Sequence, residues 1–260
     1  MSGPVSLDRE DSGLAVVTFD SPPLNLFDDA MGQGLTEAVE ALDADPPRAV
    51  LFRAENRAFT AGVDVKVFAA IESPADAERM FGSLIRVAET VERLPCPTVL
   101  AAHAMCLTWG FELALACDFL VAAEGAQFGL VESRIGLTPA MGGTQRLAER
   151  AGTGRAREFV MTGGLYDAAT LERWNVVNRV YGDDEFAERS RKLADKLAAG
   201  PTRAHAATKD ILRAYLEGGI DGANAMTAEA AGALWDTEDL RNGVQSFLSD
   251  GPGNAAFHGR

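Results

Sequence analysis

Short blocks of apolar and β-branched residues, Val5 to Arg9 and Leu14 to Phe19, flank the turn residues Asp11-Ser12-Gly13, a pattern that predicts an opening β-hairpin. Pro22-Pro23 then breaks the strand. Met31, Leu35, Val39 and Leu42 recur at helical spacing, so a helix is expected from about Asp29 to Leu42, with Asp28 as its cap and Pro46-Pro47 as its stop. Ala49 to Arg53 follows as a short strand. Ser73-Pro74-Ala75-Asp76 places Ser at N-cap, Pro at N1 and a carboxylate in the first turn, which predicts a helix running to about Leu94. Thr98 to Ala102 and Phe119 to Ala123 are apolar strands, and the alternation of strand, turn and helix makes the core α/β and layered.

Beyond Gly142-Gly143 the pattern turns helical, over Thr144 to Arg150, Arg155 to Met161 and Asp167 to Trp174. Asp167 is a cap, and Asn175 stands where a left-handed residue ends the last of these. Val176 to Tyr181 is expected as a short strand and Asp184 to Ala199 as a helix. Gly200-Pro201 marks the clearest boundary, dividing an α/β core of residues 1–200 from a helical region of residues 201–260. The latter contains three helices, over Pro201 to Glu217, Gly222 to Trp235 and Glu238 to Leu248. The last ten residues, with Gly251, Pro252, Gly253 and Gly259, are expected to form a loose tail.

Composition narrows the function. With 47% hydrophobic and 24% charged residues in 260, the chain is an ordinary globular one. A formal net charge of -14 argues against non-specific nucleic-acid binding, so an anionic ligand needs a local basic patch. Cys96, Cys106 and Cys117 lack metal-type pairing, and with His103 they are expected as satisfied core residues in a reducing compartment. No apolar run reaches membrane-spanning length and the N-terminus lacks a signal-peptide core, so the protein is expected to be soluble and cytoplasmic.

Three glycine turns carry the candidate chemistry. In Phe59-Thr60-Ala61-Gly62-Val63-Asp64-Val65-Lys66, backbone N–H groups between a strand and a helix are left to face an anion or form a plain turn. In Thr108-Trp109-Gly110-Phe111-Glu112, Glu112 opens an apolar helical run; it either works as an acid or base or faces solvent at the helix N-terminus. In Phe128-Gly129-Leu130-Val131-Glu132, Glu132 is either a second acid or base or the ion-pair partner of Arg134.

Taken with Gly110-Phe111-Glu112-Leu113-Ala114-Leu115-Ala116-Cys117-Asp118 and with Gly136-Leu137-Thr138-Pro139 through Gly142-Gly143-Thr144-Gln145-Arg146-Leu147, these segments resemble the crotonase family of enoyl-CoA hydratases and isomerases, from about Leu14 to Leu248. The resemblance implies a spiral of ββα turns, a C-terminal helical region used in trimerisation, and an acyl-CoA thioester as ligand, with no cofactor beyond the coenzyme A of the substrate. It places two oxyanion-hole donors at the backbone N–H groups of Val63 and Trp109, CoA contacts at Ala61, Asp64 and Lys66, and the acid/base carboxylates at Glu112 and Glu132. It implies a homotrimer or a dimer of trimers, while the charge, the hydropathy and the cysteine spacing lead to an expectation of no nucleic acid, membrane or metal.

Two departures stand out. Many hydratases carry a run of glycines where this chain has Thr108-Trp109-Gly110; the indole of Trp109 is expected either to reshape the acyl pocket or to point into the core. Family members commonly place a basic residue near the C-terminus to reach a neighbouring subunit's CoA, but Gly251 to Phe257 has no Lys or Arg, leaving Arg53, Lys66 and Arg260 as the local charges to inspect. The leading expectation is hydration of a 2-enoyl-CoA. The alternatives are a Δ3-Δ2 enoyl-CoA isomerase, which needs Glu132 alone, and a non-catalytic acyl-CoA-binding protein.

Overall fold

The computed structural model describes residues 3–260, so Met1 and Ser2 of the opening stretch lie outside the described residues. In chain order the elements are β1 (Val5–Arg9), β2 (Leu14–Phe19), α1 (Asp29–Ala44), β3 (Ala49–Ala54), α2 (Val65–Ala69), α3 (Pro74–Arg93), β4 (Thr98–Ala102), β5 (Cys106–Leu107), α4 (Trp109–Ala116), β6 (Phe119–Ala123) and β7 (Gln127–Gly129). A 3-10 turn (Glu132–Ile135) leads to α5 (Gly143–Ala151), α6 (Thr153–Thr162), β8 (Tyr166–Asp167), α7 (Ala168–Arg173), β9 (Arg179–Tyr181), α8 (Phe186–Ala198), α9 (Thr202–Ala233) and α10 (Glu238–Asp250). The expected caps hold: Asp28 accepts the N–H of Met31, Ser73 that of Asp76 and Asp167 that of Thr170.

The main sheet runs β1-β2-β3-β4-β6-β9, antiparallel only at the opening hairpin. All six residues of β2 are buried because both faces of the sheet are covered. Leu14 and Val16 face α8 with Leu51, Val99 and Val121, while Ala15, Val17 and Phe19 face the larger core with Phe52, Leu100 and Leu120. α4 is buried along its whole length, the burial pattern of a helix that is apolar on every side. One carboxylate, Glu112, sits inside it.

Several elements differ from the sequence pattern. Val176 and Val177 both donate to the carbonyl of Leu171, closing α7, so β9 begins only at Arg179. Within α9, Gly219 takes the non-helical φ 63° and ψ -156°, which parts it into two helices at the gap expected between Glu217 and Gly222. The tail is not loose. Buried Asp239 accepts the N–H groups of His258 at 2.6 Å and Gly259 at 2.8 Å, and Arg48 donates to the carbonyl of Phe257 at 2.8 Å. A carboxylate buried on α10 needs donors, and the tail's backbone supplies them.

Candidate active site

The three glycine turns meet because short backbone pairings join them. Thr60 forms a parallel bridge with Cys106, and β5 pairs in parallel with β7, Leu107 opposite Gly129. The N–H of Thr108 continues that ladder to the carbonyl of Gly129 at 2.9 Å. The turn at residues 61–63, the start of α4 and the segment leading to Glu132 therefore lie side by side. Gly110 makes this approach possible, since a Cβ there would sit 2.5 Å from Cγ2 of Thr60.

Glu112 is 3% exposed, and its Oε2 accepts the N–H of Met141 at 2.8 Å and of Gly143 at 2.7 Å. Burial pushes its pKa up, while the N–H groups of Gly143 and Met141, and more weakly the charge of Arg146, oppose the shift. The clasping loop is fixed from behind by Arg146, which donates to the carbonyls of Met141 and Gly142 and, at 2.7 Å, to Glu92. Sequence reasoning assigned Arg146 and the residue 141–143 loop no role; the adjacent Gly142-Gly143 at a helix start was the available signal. The alternative that Glu112 faces solvent is excluded by its burial.

Glu132 is 7% exposed at the head of the 3-10 turn, and its Oε2 is buried without a hydrogen-bond partner. Arg134 turns away and donates to the carbonyl of Gly163 at 2.8 Å, so the alternative of a Glu132–Arg134 ion pair is not formed. Burial, and secondly the nearby charge of Glu112, push the pKa of Glu132 up to about 7. The two carboxyl groups thus have different surroundings, one clasped by amides and one without a partner.

Glu112 and Glu132 line one cavity with Val63, Thr108, Trp109 and Met141, closed above by Val67, Phe68, Met80 and Phe81 of α2 and α3. Its volume is about 30 Å³, room for a water but not for an acyl chain. α2, which carries Val67 and Phe68, buries none of its five residues. Among the described residues, the amide N–H groups of Val63 and Trp109 donate to no other group of the chain. The indole of Trp109 points into the core, edge-on to Phe19 at 5.2 Å, with its Nε1–H donating to Oγ1 of Thr60 at 2.9 Å. Of its two expected placements the indole takes the one into the core, held by the aromatic cluster and Thr60. Thr108 adopts φ 47° and ψ -121°, a conformation that costs a β-branched residue about 1–3 kcal/mol.

Ala61, Asp64 and Lys66 do not line this cavity. The carboxylate of Asp64 caps α2 by accepting the N–H of Lys66 at 3.0 Å, and both residues border a separate, acidic depression with Asp28, Asp29 and Asp76. Of the basic residues singled out, Arg53 pairs with Glu55 and Arg260 with Glu238, whereas Lys66 forms no ion pair among the described residues. All three cysteines are buried and free. Among the described residues, no helix is long and apolar enough to cross a membrane.

A layered α/β core with two buried carboxyls beside two unengaged amides defines an enzyme-like site. The chain belongs to the enoyl-CoA hydratase/isomerase family, whose model matches residues 9–255. It is 30% identical over 248 residues to a crotonyl-CoA hydratase from Syntrophomonas wolfei, covering 94% of each chain. It is 34% identical over 237 residues to a carnitinyl-CoA dehydratase from Salmonella heidelberg, covering 89% of this chain and 90% of that one. The crystal structure of an enoyl-CoA hydratase from Bacillus anthracis superposes with a TM-score of 0.91 at 26% identity, covering 99% of this chain and 100% of that one. The fold is the crotonase fold.

Proposed function

We propose that the protein is an enoyl-CoA hydratase, a hydro-lyase that adds water across the double bond of a 2-enoyl-CoA thioester. The observation that carries this reading is the pair of buried carboxyls on one cavity, Glu112 clasped by two amides and Glu132 without a partner. Against the burial that raises its pKa, the N–H groups of Gly143 and Met141 favour the ionised form of Glu112 and hold its Oε2 in place, suiting it to orient a water and take its proton. Glu132, with a pKa of about 7, retains a proton at neutral pH to deliver to the α-carbon. The charge that develops on the thioester oxygen is received by the N–H groups of Val63 and Trp109, each such donor lowering the barrier by roughly 3–4 kcal/mol.

Isomerisation between Δ3 and Δ2 thioesters requires one base and leaves Glu112 idle. A carboxylate held inside an otherwise apolar helix by two amides favours hydration over that alternative. The reaction uses no cofactor beyond the coenzyme A of the substrate. Ala61, Asp64 and Lys66 are assigned to the CoA moiety on the resemblance alone, and the carboxylate of Asp64 also caps the helix that carries Lys66. Residues 201–260 serve in assembly of a homotrimer or a dimer of trimers, supported by the exposed apolar side chains of Leu212, Leu216, Ile220, Trp235, Phe247 and Leu248. The cellular site assigned is the cytoplasm.

The test is loss of the conjugated-thioester absorbance of crotonyl-CoA, measured for the wild type and for Glu112→Gln and Glu132→Gln. Rapid loss that either substitution reduces by roughly 1,000-fold or more supports the reading. Full activity in Glu112→Gln would overturn it in favour of single-base chemistry.

A further inference from the structure

We infer that the side-chain hydroxyl of Thr108 is a third hydrogen-bond donor to the thioester oxygen of the bound ligand, an assignment that rests on the acyl-thioester reading above. Thr108 is 7% exposed and lines the cavity that holds Glu112 and Glu132. Its Oγ1 is buried with no hydrogen-bond partner. A threonine at the N-cap of a helix ordinarily turns its hydroxyl onto the first-turn N–H groups, yet this one makes no capping bond to α4.

The hydroxyl leans across to the facing turn instead. A Cβ built on Gly62 would meet Oγ1 of Thr108 at 3.2 Å, so the hydroxyl lies against the residue that precedes Val63. Thr108 itself precedes Trp109, and Oγ1 therefore sits in the seam between the two turns that carry the unengaged amides. The backbone of Thr108 is pinned on both sides, its N–H to the carbonyl of Gly129 at 2.9 Å and its carbonyl to the N–H of Glu112 at 2.8 Å. The strained φ of 47° is thus held by the fold and delivers the side chain to this place.

A buried hydroxyl without a partner is satisfied when a ligand supplies one. Amide N–H groups only donate, so the ligand atom that fits beside the two amides is an acceptor. In an enoyl thioester passing to its enolate, the acceptor that gains charge is the thioester oxygen. The hydroxyl's single proton is directed there.

The test compares Thr108→Val, which keeps the β-branched shape and removes the hydroxyl, with Thr108→Ser, which keeps the hydroxyl, and Thr108→Gly, which removes both hydroxyl and strain. Three quantities are measured: kcat/KM for crotonyl-CoA, the thermal midpoint, and the infrared carbonyl stretch of bound butyryl-CoA, a thioester with no double bond to hydrate. The expected result is a loss in kcat/KM of roughly 10- to 100-fold for Val and for Gly, within about threefold of wild type for Ser. The bound carbonyl stretch moves toward its free value in Val and Gly and stays at the wild-type value in Ser, while the midpoint of Gly does not fall. A wild-type rate and stretch in Thr108→Val would overturn the inference alone, and so would equal losses in Val and Ser, which point to packing. A wild-type protein that neither hydrates crotonyl-CoA nor shifts the carbonyl of butyryl-CoA would overturn the hydratase reading first and this inference with it.

Discussion

Gly143 approaches Glu112 so closely that its N–H reaches Oε2 at 2.7 Å, while a Cβ added at residue 143 would stand 2.7 Å from Cγ of the same side chain. The residue that orients the carboxylate is therefore one that must lack a side chain. Gly143→Ala is expected to push the carboxyl out of its clasp and lower kcat/KM for hydration by roughly 100-fold, since small misplacements of a reacting group have costs of that order. Steady-state assays of crotonyl-CoA hydration check this, and an unchanged rate would mean that the clasp is not used.

The pH profile follows from the proton count of the two carboxyls. Hydration uses Glu132 protonated and Glu112 ionised, and the reverse dehydration uses the opposite arrangement, so in both directions the pair carries one proton. Because burial and then the charge of Glu112 push Glu132 up to about 7, kcat/KM is expected to fall about tenfold per pH unit above that value. Both directions should show the same upper limb. Glu112→Gln removes the second of those two causes, so a ¹³C NMR titration of the Glu132 carboxyl should move down in that variant.

The same shift has a cost in stability. Glu132 binds its proton more tightly folded than unfolded, so stability declines as pH rises from about 4.5 toward about 7 and remains lower above it. Glu132→Gln removes a penalty of about 2–3 kcal/mol at pH 8. The expected outcome is a variant that is inactive yet melts higher than wild type at pH 8, with the difference shrinking at pH 5. Calorimetric melts at the two pH values check it; a lower melting point at pH 8 would contradict it.

Trp109 is fixed in the core by Phe19, Phe27, Phe59 and the hydroxyl of Thr60. Trp109→Ala is expected to lower stability by about 3–5 kcal/mol through the cavity it leaves. The ranking of acyl-CoA substrates by chain length should not change. A widened chain-length range with an unaltered denaturation midpoint would place the indole in the acyl pocket after all.

The elements legible in the chain were those with a repeating period or a cap. The β2 strand, α1 with Asp28 and α3 with Ser73-Pro74 all lie close to their expected bounds. The sheet β5-β7-β8 was not legible, because strands of two or three residues carry no measurable period. Yet this sheet is what brings Glu112 beside Glu132. Both glutamates were visible as carboxylates after glycine turns, whereas the clasp by Met141 and Gly143 was not, since it is made by backbone N–H groups that any residue carries. The tail was misjudged for a related reason: its glycines suggested looseness, but its anchor is Asp239, about 20 residues earlier in the chain.

The central claim is a division of labour in which Glu132 moves the α-proton and Glu112 serves the water. Exchange of the α-protons of butyryl-CoA in deuterium oxide, followed by proton NMR, isolates the first role because this thioester has no double bond to hydrate. Exchange is predicted to persist in Glu112→Gln, within about tenfold of wild type, and to vanish in Glu132→Gln. Exchange that survives in Glu132→Gln, or that is lost equally in both variants, would contradict the assignment.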